Sequence, residues 1–389
     1  MSESVTVRKG PAYPAARKVA EAVVERLTRR AESARAAGRD GLAPTPDAAA
    51  VEAVIDAAFW ASLRREEGYP PKISLAFLPP EQADSPLRFA RALPLSPTAL
   101  AKLAPAVERP GIHLGVWRCD DDGEFCVWGT TRDIPRLCFV LEVVEPGLLV
   151  VKYRRTRDAA KFANVVMLRG DEVKLVDEAG ASVPDCPDMV TSLLGFGAAN
   201  SSAEQVDVLV QLAVSMRAHG RGGTLLVVPA GSGAWRESIL WPAPYTVEPG
   251  GFTELRELLA RGLAEGDDPE WQEELRRSVE AVAGLTAVDG AAIVNDRSEL
   301  LAFGAKIIQS RSGAEVEHVV LTEPVAGSQP SVVDPAELGG TRHLSAAQFV
   351  QDQRDAVALV ASQDGRFTVF AWSPCEGMVH AHRVEMLLI

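Results

Sequence analysis

Near Lys72 the spacing of apolar residues changes from the period of a helix to that of a strand, and near Leu194 it changes back. One hydrophobic layer cannot serve both patterns, because a helix buries positions three and four apart while a strand buries alternate ones. The chain must therefore fold as at least two blocks. With 389 residues, 47% of them hydrophobic, each block can have its own core.

The first block opens with an Ala/Glu/Arg-rich segment from Pro14 to about Arg39. It sets Val19, Ala22, Val23 and Leu27 on one helical face and ends at GLAPTP. Asp47 precedes a second helical run carrying Val51, Val54, Ile55 and Ala58. From Lys72 onward KISLAFL, IHLGVWRC, EFCVWGTT, RLCFVLEVV, GLLVVKYRR and FANVVMLRG are short and rich in branched and aromatic residues, and read as strands. CDDDGE between the second and third is a hairpin loop. These elements predict an α+β domain over residues 1–195.

LGFGAANSSAEQ then supplies turn residues and a helix cap, which puts the domain boundary near Leu194. Over 201–389 the order is a helix from Ala203 to Ala218, with an apolar face of Val206, Leu209, Val210 and Ala213, then a strand from Gly223 to Val228. Helices over Thr253–Ala264 and Pro269–Ala283 follow, then a strand from Gly290, a helix at AAQFVQDQR and strands at AVALVASQ and RFTVFAWS. The expected fold class is α/β, with a mixed sheet in this second domain.

A net charge of −13 argues against a general nucleic-acid or anionic-membrane binder. Five cysteines without a CxxC pair fit reduced thiols, and no stretch reaches the roughly eighteen apolar residues of a membrane helix. A cytoplasmic protein with no nucleic-acid and no membrane partner is expected. His113, Cys119 and Cys126 are too loosely spaced for zinc. His380 and His382 alternate on one face of a terminal strand, where solvent exposure is expected.

Three local patterns carry chemistry. Asp289-Gly290-Ala291 places a carboxylate and a glycine before a β run, which suits a divalent metal and close ligand approach; the same residues alone also make an ordinary turn. Gly339-Gly340-Thr341-Arg342-His343 reads as a glycine turn into a helix capped by Thr341. It is either an anion site built from helix N–H groups and basic side chains, or a capped helix with Arg342 and His343 in solvent. Ser362-Gln363-Asp364-Gly365 between two strands reads as a hairpin turn.

Taken with Gly223-Thr-Leu-Leu-Val-Val228 and in this order, the motifs resemble the DisA_N-type diadenylate cyclase domain over nearly all of the second half. The first half, with the stretch Trp235–Trp241, resembles proteins carrying DACNV, a probable sensor domain fused to such cyclases. The resemblance implies that two ATP-bound domains meet as a face-to-face homodimer. The 3′-hydroxyl of each ATP attacks the α-phosphate of the other, giving cyclic di-AMP and pyrophosphate.

Carried over, Asp289 would bind Mg²⁺ or Mn²⁺ and activate the hydroxyl, Gly290 and Ala291 would allow close approach, and Gly340, Thr341, Arg342 and His343 would hold phosphates. Ser362 and Asp364 match the family's Ser-Glu-Glu-like turn, with Asp364 at the metal. Two departures stand out: Leu344 occupies the place of the motif's last arginine, and Gln363-Asp364 stands for two glutamates. They leave open a nucleotide-binding sensor without turnover. The Pro/Gly/Ser-rich stretch between Asp289 and Thr341 is a lid, a dimer-blocking loop or a harmless insertion.

Overall fold

The computed structural model describes residues 12–119, 123–155, 162–177, 185–193, 203–248, 252–265, 268–311 and 313–389. The chain divides into two units, Met1–Val176 and Asp177–Ile389, each with one mixed sheet. The boundary expected at 195–201 lies outside the described residues. Asp120–Asp122, in the expected hairpin loop, also lie outside them.

The first unit holds helices α1 (Pro14–Ala36), α2 (Ala48–Ser62) and α3 (Pro97–Leu103). Its strands are β1 (Ile73–Phe77), β2 (Leu87–Pro94), β3 (His113–Arg118), β4 (Phe125–Thr131), β5 (Phe139–Glu145), β6 (Leu148–Arg154), β7 (Phe162–Arg169) and β8 (Glu172–Leu175). They form one sheet in the order β2-β4-β3-β1-β5-β6-β7-β8, in which only β1 and β3 run parallel. Asp47 starts α2, its carboxylate accepting the Ala50 N–H at 2.8 Å. Val19, Val23 and Leu27 of α1 and Val51 and Ile55 of α2 join Leu75, Leu114, Leu141 and Val151 in one core. Each such fully buried side chain contributes about 1.5–3 kcal/mol relative to exposure.

The second unit contains α4 (Asp188–Leu193), α5 (Ala203–Ala218), β9 (Gly223–Val228), β10 (Tyr245–Thr246), α6 (Glu254–Glu265), α7 (Pro269–Leu285), β11 (Ala291–Asn295) and β12 (Leu300–Ala305). These are followed by β13 (Val319–Thr322), β14 (Ser331–Val333), α8 (Pro335–Leu338), α9 (Thr341–Asp352), β15 (Val357–Ala361), β16 (Phe367–Ser373) and β17 (Met378–Arg383). The sheet order is β10-β12-β11-β9-β15-β16-β17-β13-β14, with β9/β11 and β13/β17 parallel. Helix α9 packs on β9, β15, β16 and β17, α5 packs on β15, and α7 on β12. Every residue of β9 is buried, as a continuous apolar run covered on both faces requires.

Several expectations are corrected. The long connection before α9 is not an unstructured loop: it adds β13, β14 and α8 at one edge of the sheet. The buried face of α5 is Val208, Leu212, Ala213 and Met216; Leu209 and Val210 are half-buried, and the side chain of Val206 is outside the described residues. His380 and His382 share a face of β17 but are 1% and 2% exposed; the His382 ring shares a 2.8 Å hydrogen bond with the Thr322 hydroxyl and the His380 ring one of 3.1 Å with Glu376. Among the described residues no helix is long and apolar enough to cross a membrane.

Candidate functional site

Strands β9 and β11 are parallel, so the turns that enter them lie at the same end of the sheet. Antiparallel β15 brings its last residue, Ala361, opposite Gly223 at the start of β9. The hairpin to β16 follows at once, closed by the Ser362 N–H to Arg366 carbonyl bond of 2.9 Å. The expected Asp-Gly turn is therefore present and opens on the end of the sheet where Gly222 and Asp289 lie.

Arg342, in the first turn of α9, reaches the same place. A Cβ at Gly222 would lie 3.2 Å from a guanidinium nitrogen of Arg342 and 3.3 Å from the Ala361 carbonyl oxygen, and Gly222 has φ +71°. A side chain at Gly222 would therefore crowd Arg342 and strain the backbone. Gln363 donates its amide N–H to the Arg221 carbonyl at 3.3 Å, tying the hairpin to the turn before β9.

Asp289 is exposed on 91% of its side chain and accepts from the Lys306 ammonium at 2.5 Å. That hydrogen bond and the Lys306 charge hold its carboxyl below the usual value, and Arg342 adds a smaller pull in the same direction. Burial pushes Asp364 upward, but the Ser362 hydroxyl, the Arg366 N–H and the Arg366 charge outweigh it and hold the carboxyl low. Asp289, Arg342, Ser362 and Asp364 thus belong to one electrostatic neighbourhood with Lys306 and Arg366.

Gly290 and Ala291 serve the sheet. Gly290 has φ +114°, and a Cβ there would collide with the Gly304 backbone. Ala291 is buried and pairs with Ala305. This is a packing reason for the Asp-Gly-Ala order that needs no ligand.

Two expectations about the second motif change. The residue before α9 is Gly340, in extended backbone, and Thr341 is the first helical residue, exposed, so Thr341 does not cap the helix. His343 is 2% exposed rather than in solvent on the first turn; its ring packs edge-on to Phe370 and beneath Gly339. Burial, then the nearby Arg383, lowers its pKa. Leu344 is 39% exposed.

Sequence reasoning missed Lys306, His219 and Arg221. His219 contacts the Thr286 hydroxyl at 3.3 Å, between the turns before β9 and β11. The run His219-Gly-Arg-Gly-Gly223 immediately before a buried strand was the available signal. Lys306 carried none, since it meets Asp289 only through the pairing of β11 with β12.

The fold is that of a mixed α/β protein with two sheets. Residues 40–132, from the end of α1 through β4, match the family model described as Probable sensor domain DACNV, so a probable sensor domain lies there. No diadenylate cyclase domain is detected in the second half. No curated protein matches the chain.

Proposed function

We propose that the second unit is a diadenylate cyclase domain that condenses two ATP into cyclic di-AMP and pyrophosphate as a face-to-face homodimer under control of the first unit. The observation that carries this reading is the convergence of Asp289, Arg342 and the Ser362–Asp364 turn at one end of the nine-stranded sheet. These motifs are far apart in sequence, and a structural role alone does not require them to meet.

In each transfer a 3′-oxygen forms a bond to the α-phosphorus of the facing ATP, the bond to pyrophosphate breaks, and the hydroxyl proton leaves. Such displacement depends on positioning and charge neutralisation. Arg342 and the exposed Thr341 hydroxyl would meet phosphate oxygens, with Gly340 giving access to the N–H groups of α9. His343 would act beneath them, fixing the first turn of the helix. Asp289 would accept the hydroxyl proton or orient the hydroxyl.

Among the described residues no group of three His, Cys, Asp or Glu side chains gathers. The residues present fit a Mg²⁺ or Mn²⁺ held mainly by nucleotide phosphates with one carboxylate from Asp289, the usual mode for Mg²⁺. When bound, the ion neutralises phosphate charge. Asp364, engaged by Ser362 and Arg366, is a weaker candidate ligand than sequence suggested.

A second reading is a nucleotide-binding sensor without turnover. It is favoured by the Lys306–Asp289 pair, which occupies the carboxylate, and by Leu344 in place of a cation. Purified protein with ATP and Mg²⁺ or Mn²⁺, analysed by mass-resolved chromatography, separates the two. A cyclase makes cyclic di-AMP, and Asp289→Asn lowers the rate by about 10²-fold or more. Micromolar binding of ATP or cyclic di-AMP with no product leaves the sensor. Neither binding nor product removes both.

A further inference from the structure

At the opposite end of the same sheet, beyond the carboxyl ends of parallel β9 and β11, the second unit has a cavity of roughly 370 Å³. The cavity is within the size range of small-molecule sites. Trp241, Phe252 and Leu300 give it an apolar wall.

Its charged groups are not equivalent. Glu299 accepts from the Asn295 amide at 2.6 Å and pairs with Arg256, so these two charges cancel. Arg236 is different: its guanidinium lies 4.8 Å from the Trp235 ring and 5.0 Å from the Trp241 ring, whose planes meet edge to face. Arg236 makes no ion pair among the described residues. The two indoles fix the plane of the guanidinium fork without using its N–H donors.

Two further features set the sign. Phe252 and Thr253 line the cavity immediately before α6, so the positive end of a twelve-residue helix opens on it. Glu248 and Arg236 are both exposed at the rim, so water screens the carboxylate and the guanidinium alike, and the helix end tips the balance toward an anion.

We propose that this cavity binds a small organic anion with a flat apolar body, such as an aromatic carboxylate. Arg236 takes the anionic group in a fork, and Trp241 and Phe252 cover the ring. The site is separate from the Asp289 end of the sheet and does not depend on what reaction occurs there.

The test is calorimetric titration of the full chain with naphthalene-2-carboxylate and with its neutral isostere naphthalene-2-carboxamide. The carboxylate binds at least tenfold more tightly than the carboxamide. Arg236→Ala removes at least tenfold of that affinity, while Arg236→Lys restores only part, because an ammonium has no fork. Trp241→Leu weakens both probes, and Asp289→Asn changes neither. Circular dichroism confirms that the variants fold. Equal binding of the two probes, an unchanged Arg236→Ala, loss of binding in Asp289→Asn, or no carboxylate binding up to millimolar concentration would each overturn the proposal.

Discussion

The eight-stranded sheet turns His113 and Lys152 inward; the nine-stranded sheet also buries His380 and His382, but leaves Asp289, Arg342 and Asp364 exposed at one of its ends. In the first unit the buried His113 shares a 2.7 Å hydrogen bond with Ser74, and Lys152 lies 2.5 Å from Glu142 with its ammonium over the Phe162 ring. A polar group inside a fold must be satisfied by that fold, whereas one at a strand end keeps its water and can exchange it for a ligand. The first arrangement ties charge to stability, and the second leaves charge available for chemistry.

The comparison breaks most visibly at Gly290, which stands beside Asp289 yet belongs to the packing. Gly290→Ala, with a Cβ forced against the Gly304 backbone at φ +114°, should destabilise the second unit by on the order of 3 kcal/mol, read from urea unfolding. An unchanged midpoint would mean that the glycine serves ligand approach alone.

The inward groups of the first unit predict a pH effect of nearly the same size. Burial lowers the His113 pKa from 6.5 to about 4, against the smaller upward pull of Glu142 and with Lys152 and Arg154 acting in the same direction as burial. The folded value lies below the unfolded one, so the contribution is fully present above about pH 6.5 and is lost as pH falls toward 4. It amounts to up to about 3 kcal/mol. His382 in the second unit, pushed down to about 3, titrates in the same direction. The measurement is therefore the difference between wild type and His113→Asn across that window: the variant should lose less stability on acidification. Parallel curves would show that His113 is not held neutral by burial.

At the outward end, Asp289→Asn and Lys306→Ala should leave the thermal midpoint where it is, because both partners of this pair are solvent-exposed. A drop of several degrees in either would make the pair structural and erase the contrast between the two sheets.

What the sequence disclosed follows the same division. Elements with one strong period were legible: α1 and α2 from their apolar faces, β9 and β15 from continuous apolar runs. β2 was not, since most of its residues are exposed and no alternation marks it, and the short edge strands β10 and β14 bury too little to leave a pattern. At the candidate site the residue types were legible but not their directions. Arg342 and His343 are adjacent in sequence, yet successive residues of a helix point about 100° apart. One reaches the end of the sheet and the other goes into the core. Lys306 could be found only from the pairing of β11 with β12.

The smallest predicted effect concerns Leu344 and sharpens the choice between cyclase and sensor. The side chain is 39% exposed on the first turn of α9, so Leu344→Arg should change stability by no more than about 0.5 kcal/mol, the helix dipole opposing the new cation slightly. If a missing phosphate-side cation limits turnover, this substitution raises the rate by up to about tenfold, equivalent to roughly 1.4 kcal/mol of transition-state stabilisation. If Lys306 already supplies that charge, Leu344→Arg leaves the rate unchanged and Lys306→Ala lowers it. Should Lys306→Ala raise the rate instead, its pairing with Asp289 is inhibitory, and the carboxylate becomes available only when that pair opens.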